Sequence, residues 1–288
     1  MTELHKTFPV HALDSYFYTS MGVYAFAAQC EMLAELGYAG ISVSAWSGTP
    51  LTDLAALPIV KARYGIDVAA VYLVLHEGRN DAVVRRVVQS VEAAPIIELA
   101  IQTTVNGRDG VLRVLDSLIA IAERRGIDIA LYPHLTHWTE TSSQVVALCE
   151  HFRHPRLGIV FNGYHWYAIR EGDLDGRLAA AAPFLKQVNM AGSRHSPLGW
   201  GGVATMEPIG SGELDNFAFL GALKRIGYDR RIGFLGWDIG GDVYLKLRRS
   251  LAAFRAMEGR LAAHPDWRLN ARPPVGVREP FAALHWSG

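Results

Sequence analysis

The chain has 288 residues, half of them hydrophobic and 19% charged, so it holds enough apolar side chain for one large core and leaves disorder only for its ends. Its 28 basic and 28 acidic side chains cancel, the pI is near 7.2 and no block of Lys or Arg stands out, which argues against nucleic acid or an anionic membrane surface as the main partner. The first residues lack the uninterrupted apolar core of a signal peptide and no later stretch reaches the length of a membrane span, so a cytoplasmic protein is expected.

Short β-branched or apolar runs alternate with helical patterns eight times, which predicts an α/β fold. In chain order the predicted strands are Leu13–Tyr18, Gly40–Ser44, Val68–Leu75, Ile96–Gln102, Ile127–Tyr132, Leu157–Asn162, Lys186–Asn189 and Ile232–Trp237. Helices are expected after each, from Tyr24–Leu36 to Asp242–Met257, and Gly37, Gly65, Gly126 and Gly227 stand where a left-handed C-terminal residue is wanted. Cys30 and Cys149 fall in helical patterns far apart, with no metal-type spacing, and read as reduced buried thiols. Eight strands and no Gly-x-Gly-x-x-Gly after the first favour a closed (β/α)8 TIM barrel over an open sheet. The barrel is assigned to residues 1–257 and an irregular C-terminal tail to 258–288, packing on the barrel or on a partner subunit, with a homo-oligomer left open. The stretch from Ala191 to Pro208, with Arg194, His195 and Trp200, is a long Gly-rich loop of the kind that carries function.

Active sites of such barrels lie at the C-terminal strand ends. The residues that reach that mouth are Tyr16 and Tyr18, Ser44 and Trp46, His76 and Glu77, Gln102, Tyr132 and His134, Asn162 and His165, Asn189, Trp237 and Asp238. Polar and aromatic side chains suit a carbohydrate, whose hydroxyls need hydrogen bonds and whose C–H faces pack on rings. Alternation puts Tyr132 and His134 on one face, and Gly163 turns the chain so that His165 can return over the mouth. Two histidines beside a carbonyl can serve as acid and base; the plainer reading has each bonding a loop carbonyl. His76, Trp46, Gln102, Arg194 and Trp237 are substrate-binding candidates. His137, His151 and His154 lack a special register, and Glu98 is read as a buried, paired carboxylate below the site. Gly210–Glu213 could cradle a phosphate, but a helix start capped by Asp215 explains it better.

With these residues the sequence resembles the xylose isomerase-like TIM barrel superfamily, its sugar phosphate isomerase/epimerase branch in particular. The resemblance rests on MLAELGYAGI at positions 32–41, LYPH at 131–134, FNGYH at 161–165 and IGSGELD at 209–215, and covers most of the chain. It implies one divalent metal held by a Glu, an Asp, a His and a Glu at the ends of strands five to eight. The matching positions here are Tyr132, Asn162, Asn189 and Leu235, a neutral set that suits no such ion. No metal and no cofactor are therefore expected.

The expectation is an isomerase, epimerase or lyase acting on a small-molecule sugar, keto-sugar or related polyol without the metal. His134 and His165 would move the proton, and Asn162, Asn189 and Tyr132 would hold the developing oxyanion. The alternative is a non-catalytic carbohydrate-binding or regulatory barrel that lost the metal site. A DNA-repair endonuclease, which shares the superfamily barrel, would need a zinc cluster and a basic face that this sequence lacks.

Overall fold

The computed structural model describes residues 7–45, 54–237 and 239–268. Eight parallel strands close on themselves: β1 (Val10–Leu13), β2 (Gly40–Ala45), β3 (Asp67–Glu77), β4 (Ile96–Thr104), β5 (Asp128–Leu131), β6 (Leu157–Asn162), β7 (Leu185–Met190) and β8 (Ile232–Phe234). Each pairs with its neighbours in sequence, and β1 closes the ring on β8 through the pairs Val10–Ile232, His11–Gly233 and Ala12–Phe234. The helices that cover the ring are α1 (Phe26–Leu36), α2 (Val60–Tyr64), α3 (Asp81–Ser90), α4 (Gly107–Arg125), α5 (Ser142–Phe152), α6 (Leu174–Ala181), α7 (Asn216–Arg225) and α8 (Val243–Ala263).

The period of two along each strand separates the two environments. On β4, Ile97, Leu99 and Ile101 face outward and are wholly buried, against helices that answer with their own period. In α4 the buried residues include Val111, Val114, Leu115, Leu118, Ile119 and Ala122, spaced three and four apart. Each such Val, Leu or Ile contributes about 1.5–3 kcal/mol by leaving water, so this outer layer carries the fold. The inward residues are different in kind: Ala100, Ala130, Val160, Tyr72 and Tyr132 form a small apolar plug, with Ser42, Glu98, Gln187, Asn189 and His11 buried alongside.

Helix ends follow local chemistry. Gly37, Gly65, Gly126 and Gly227 all adopt left-handed φ, from 70° to 83°. Thr141 and Gln144 form a capping box at the start of α5, and Asp215 caps α7 by accepting from Ala218 N at 2.9 Å, the reading favoured for that stretch. Several boundaries differ from expectation, two of them by more than a few residues or with a clear cause. The first strand is Val10–Leu13 and shares only Leu13 with the expected Leu13–Tyr18, because the Asp14 carboxylate accepts from Ser44 N and Oγ at 2.8 and 2.7 Å and Asp14–Phe17 winds into a 3-10 turn. The last helix passes Met257 and runs to Ala263, with Met257 and Leu261 keeping its apolar face buried. Residues 269–288 of the tail lie outside the described residues. No helix among the described residues is long and apolar enough to cross a membrane.

Candidate active site

Tyr132 follows β5 and is buried in the barrel, its ring 5.0 Å from Tyr72 in an edge-on contact. Asn162 closes β6 and caps the short helix Gly163–Ala168, its Oδ1 accepting from His165 N at 3.0 Å while its Nδ2 donates to the Tyr132 hydroxyl. On β7, Asn189 Nδ2 donates to Glu98 Oε1 at 3.1 Å and its Oδ1 accepts from Gln187 Nε2 at 3.3 Å. Gln187 Nε2 also donates to Glu98 Oε1, and Ser42 Oγ stands 3.5 Å from Oε2. Gly233 makes this packing possible, since a Cβ there would collide with Asn189 Oδ1 and His11 Nε2.

Beyond Tyr132 the chain folds tightly over the mouth. His137 N donates to His134 O at 3.0 Å, with Thr136 between them in a left-handed conformation (φ 70°), a strained state for a β-branched residue. The turn gathers three imidazoles: His134 lies 4.0 Å from His165 and 3.8 Å from His137, ring centre to ring centre. Tyr132 is 6.1 Å from His134 and 5.7 Å from His165 on the same measure. Trp200 closes the group from above, edge-on at 5.1 Å from His134 and 6.2 Å from His165. It rides on a hairpin bonded to itself through Ser196 N to Val203 O and Thr205 N to Arg194 O, both 2.9 Å.

The backbone of one residue sorts the two central imidazoles. The Leu135 carbonyl, which can only accept, meets His134 Nδ1 at 2.7 Å, so that nitrogen carries the proton and Nε2 keeps its lone pair. The Leu135 N–H, which can only donate, points at His165 Nδ1 from 3.3 Å, so His165 carries its proton on Nε2. Burial keeps both rings neutral: it pushes His134 down to about 4 and His165 well below the usual histidine range, with His134 and His137 adding to the effect on His165. His137 is likewise pushed to about 3 by burial and by His134. The result is a base and a donor side by side, without charge.

The strand-end positions do not fit a divalent metal. Tyr132, Asn162 and Asn189 offer no carboxylate or imidazole, and their polar atoms are engaged with one another and with Glu98. Leu235, 6% exposed, joins Leu13, Leu135 and Tyr164 in an apolar cluster. Among the described residues no group of three or more His, Cys, Asp or Glu is arranged to hold a metal ion.

The remaining candidates are spread around the rim. His76 Nδ1 is 3.0 Å from Thr103 Oγ1, and its ring is close enough to His137 to help depress it. Gln102 is half-buried and its carbonyl accepts from Trp138 N at 3.1 Å. Arg194 is held by Glu207 on its own loop, Nε to Oε1 at 2.7 Å. Trp237 stacks on Tyr18 at 5.4 Å beside β1 and β8. Tyr16 leaves the mouth altogether: it is buried toward α8, its hydroxyl 3.5 Å from Ser250 Oγ. Glu77 is turned to structural use, accepting from Thr104 Oγ1 at 2.7 Å, Val105 N at 2.9 Å, and Asn106 N and Nδ2 at 2.8 Å. Trp46 and Asp238 lie outside the described residues. The sequence pattern set His137 aside and placed Trp200 only in a loop of functional type; the His134-x-x-His137 spacing in a Pro-initiated turn was the available signal for the first.

A closed ring of eight parallel strands with helices between them is a (β/α)8 barrel, and the phenol, two amides and paired imidazoles stand at the end where such barrels carry their active sites. The chain belongs to the xylose isomerase-like TIM barrel family, whose model matches residues 30–257. Solved structures with the same fold include an L-ribulose 3-epimerase (TM-score 0.71, 15% identity, covering 93% of this chain and 100% of that one). The 3-keto-D-glucoside 4-epimerase of E. coli is similar (TM-score 0.69, 17% identity, 87% and 100%), as is a xylose isomerase domain protein from Planctomyces limnophilus (0.67, 16%, 89% and 98%). At these identities the likeness establishes the fold. A search of curated proteins finds no match.

Proposed function

We propose that the protein is an isomerase, epimerase or lyase of carbohydrate type that moves a proton at a carbon next to a carbonyl, without a divalent metal. The observation that carries this reading is the pair of neutral imidazoles of opposite tautomer, 4.0 Å apart, above the Tyr132 hydroxyl. The His134 Nε2 lone pair takes the proton from carbon; the C–H electrons become the enolate double bond and the carbonyl π pair moves onto oxygen. That oxygen meets His165 Nε2–H and the Tyr132 O–H, the donors left once the Asn162 and Asn189 amide N–H groups are committed to Tyr132 and Glu98. Return of the proton to the other face gives epimerisation, return to the neighbouring carbon gives isomerisation, and expulsion of a β-oxygen from the same enolate gives elimination. Sugar epimerases among the structural neighbours support a keto-sugar as substrate.

The second reading, a carbohydrate-binding barrel without chemistry, draws on Leu235 and its apolar neighbours occupying one former ligand position. The two separate in D2O with excess EDTA, using L-ribulose, D-allulose and a 3-keto-glucoside as probes and mass spectrometry to count deuterium on carbon. Wild type should exchange on at least one probe, and His134→Gln and His165→Gln should each slow it by about 10²–10⁴-fold. Binding with no exchange would favour the second reading. Full activity in both variants would remove the histidines from the chemistry, and loss of exchange in EDTA would restore a metal.

A further inference from the structure

Glu98 projects from β4 into the barrel, fully buried, beneath the residues just assigned. Its Oε1 takes two amide donors, Gln187 Nε2 and Asn189 Nδ2, while among the described residues Oε2 has only the long approach of Ser42 Oγ at 3.5 Å. Burial, the largest cause, pushes the pKa of Glu98 up to about 7, and among the described residues the charge that bears on it is another carboxylate, Asp14. Oε1 therefore accepts in either protonation state, because a proton, when present, sits on Oε2.

An amide side chain can be turned over, exchanging its oxygen and nitrogen at little steric cost, so something must decide which end of Asn189 faces where. Glu98 accepts, so only Nδ2 of Asn189 can face it, and Gln187 Nε2, donating to Asn189 Oδ1 at 3.3 Å, holds the other end. The Tyr132 hydroxyl lies within reach of the same Asn189 amide N–H and also receives Asn162 Nδ2. With N–H groups arriving from both amides, the phenol oxygen acts toward them as an acceptor, and its own hydrogen is left to donate elsewhere. Were Asn189 reversed, its oxygen would face the phenol and capture that hydrogen.

We propose that Glu98 is a positioning residue, a fixed acceptor at the barrel floor that sets the Asn189 amide and thereby keeps the Tyr132 O–H free to donate at the mouth. The catalytic consequence rests on the proton-transfer reading above; the orientation itself does not. The chain of contacts continues from Tyr132 through Asn162 to the His165 backbone N–H at 3.0 Å, so a disturbance at the floor reaches the imidazole pair.

The test uses full-length protein labelled with 13Cζ-tyrosine and 15N-histidine, the Tyr132 signal being assigned by its loss in Tyr132→Phe. Glu98→Gln keeps an acceptor at Oε1 and should leave the Tyr132 and His165 resonances at their wild-type positions. Glu98→Met keeps the volume without the acceptor and should shift or split the Tyr132 resonance. Asn189→Leu should move the same resonance with Glu98 intact, and the double variant should add nothing further, since both act through one contact. On whichever probe sugar exchanges deuterium, Glu98→Met should lower kcat by about ten- to a hundredfold with KM nearly unchanged, and Glu98→Gln should restore it. An unmoved Tyr132 resonance in folded Glu98→Met, or effects of Glu98→Met and Asn189→Leu that simply add, overturns the proposal. If Glu98→Met fails to fold, an unmoved resonance in Asn189→Leu overturns it equally. Because the resonances need no substrate, failure of the proton-transfer reading leaves this result standing, and the reverse.

Discussion

Glu77 and Glu98 stand on adjacent strands, both hidden from solvent, and their protons are held in opposite directions. At the rim, side-chain and backbone donors from Asn106, joined by Thr104 and Val105, hold Glu77 down to about 2, so it is an anion tying β3 to the start of α4. Inside the barrel, burial outweighs the Asn189 and Ser42 contacts and lifts Glu98 to about 7. The histidines of the interior follow the same rule from the other side, His11 being pushed to about 3 and His134 to about 4 by burial. What separates the regions is donor supply: the rim loop offers backbone N–H groups to a charge, whereas the strand walls have spent theirs on the sheet ladder. The interior therefore admits polarity and refuses charge.

The largest expected effect tests that refusal. Histidine in the unfolded chain titrates near 6.5, whereas His11, His134 and His165 resist protonation in the fold. Unfolded chains then bind more protons between about pH 6.5 and 4, so the stability held by the neutral rings is complete above about 6.5 and is lost as pH falls through that window. His137 adds to the same effect, and Glu98 works the other way in the window, one carboxyl against four rings. Calorimetry should show the melting midpoint falling by roughly 10 °C between about pH 7 and 5, and a flat profile would break the comparison.

Next in size is Glu77→Ala, which orphans several donors at once and should lower the midpoint by roughly 5–10 °C at neutral pH. Since the folded pKa is depressed, this contribution is present in full above about 4.3 and disappears as pH falls toward about 2. An unchanged midpoint would mean that the rim donors find water as readily as the carboxylate.

The smallest effect has the opposite sign. The raised pKa of Glu98 penalises the fold as pH climbs from about 4.3 through about 7, so Glu98→Gln should raise the midpoint by roughly 3–6 °C near pH 8.5 and by little near pH 5. If Glu77→Gln and Glu98→Gln shift stability in the same direction near pH 8.5, the contrast between rim and interior is wrong.

Much of the barrel was legible because its outer layer obeys simple periods: the patterns of Ile96–Gln102 and Leu157–Asn162 fall on real strands, and each expected glycine cap is left-handed. The first strand was misplaced because Tyr16, Phe17 and Tyr18 carry strong β preference, and the carboxylate of Asp14 reaching across to β2 cannot be read locally. Site placement was legible to the same depth. Alternation put Tyr132, Asn162 and Asn189 at strand ends, but the partners of their amides depend on Glu98 and Gln187, 91 and 2 residues from Asn189. His137 was passed over because its place follows from a strained turn at Thr136, which no hydrophobic period announces.

The Leu135 backbone has a consequence for how such a site can change over generations. Both imidazoles take their protonation order from backbone atoms, the carbonyl for His134 and the N–H for His165. Substitution of the leucine side chain leaves those atoms in place, and proline alone among the encoded residues would delete the N–H. The surrounding rim can therefore change while the order of acceptor and donor nitrogens is inherited unchanged, a polarity carried by the main chain and out of reach of most point mutations.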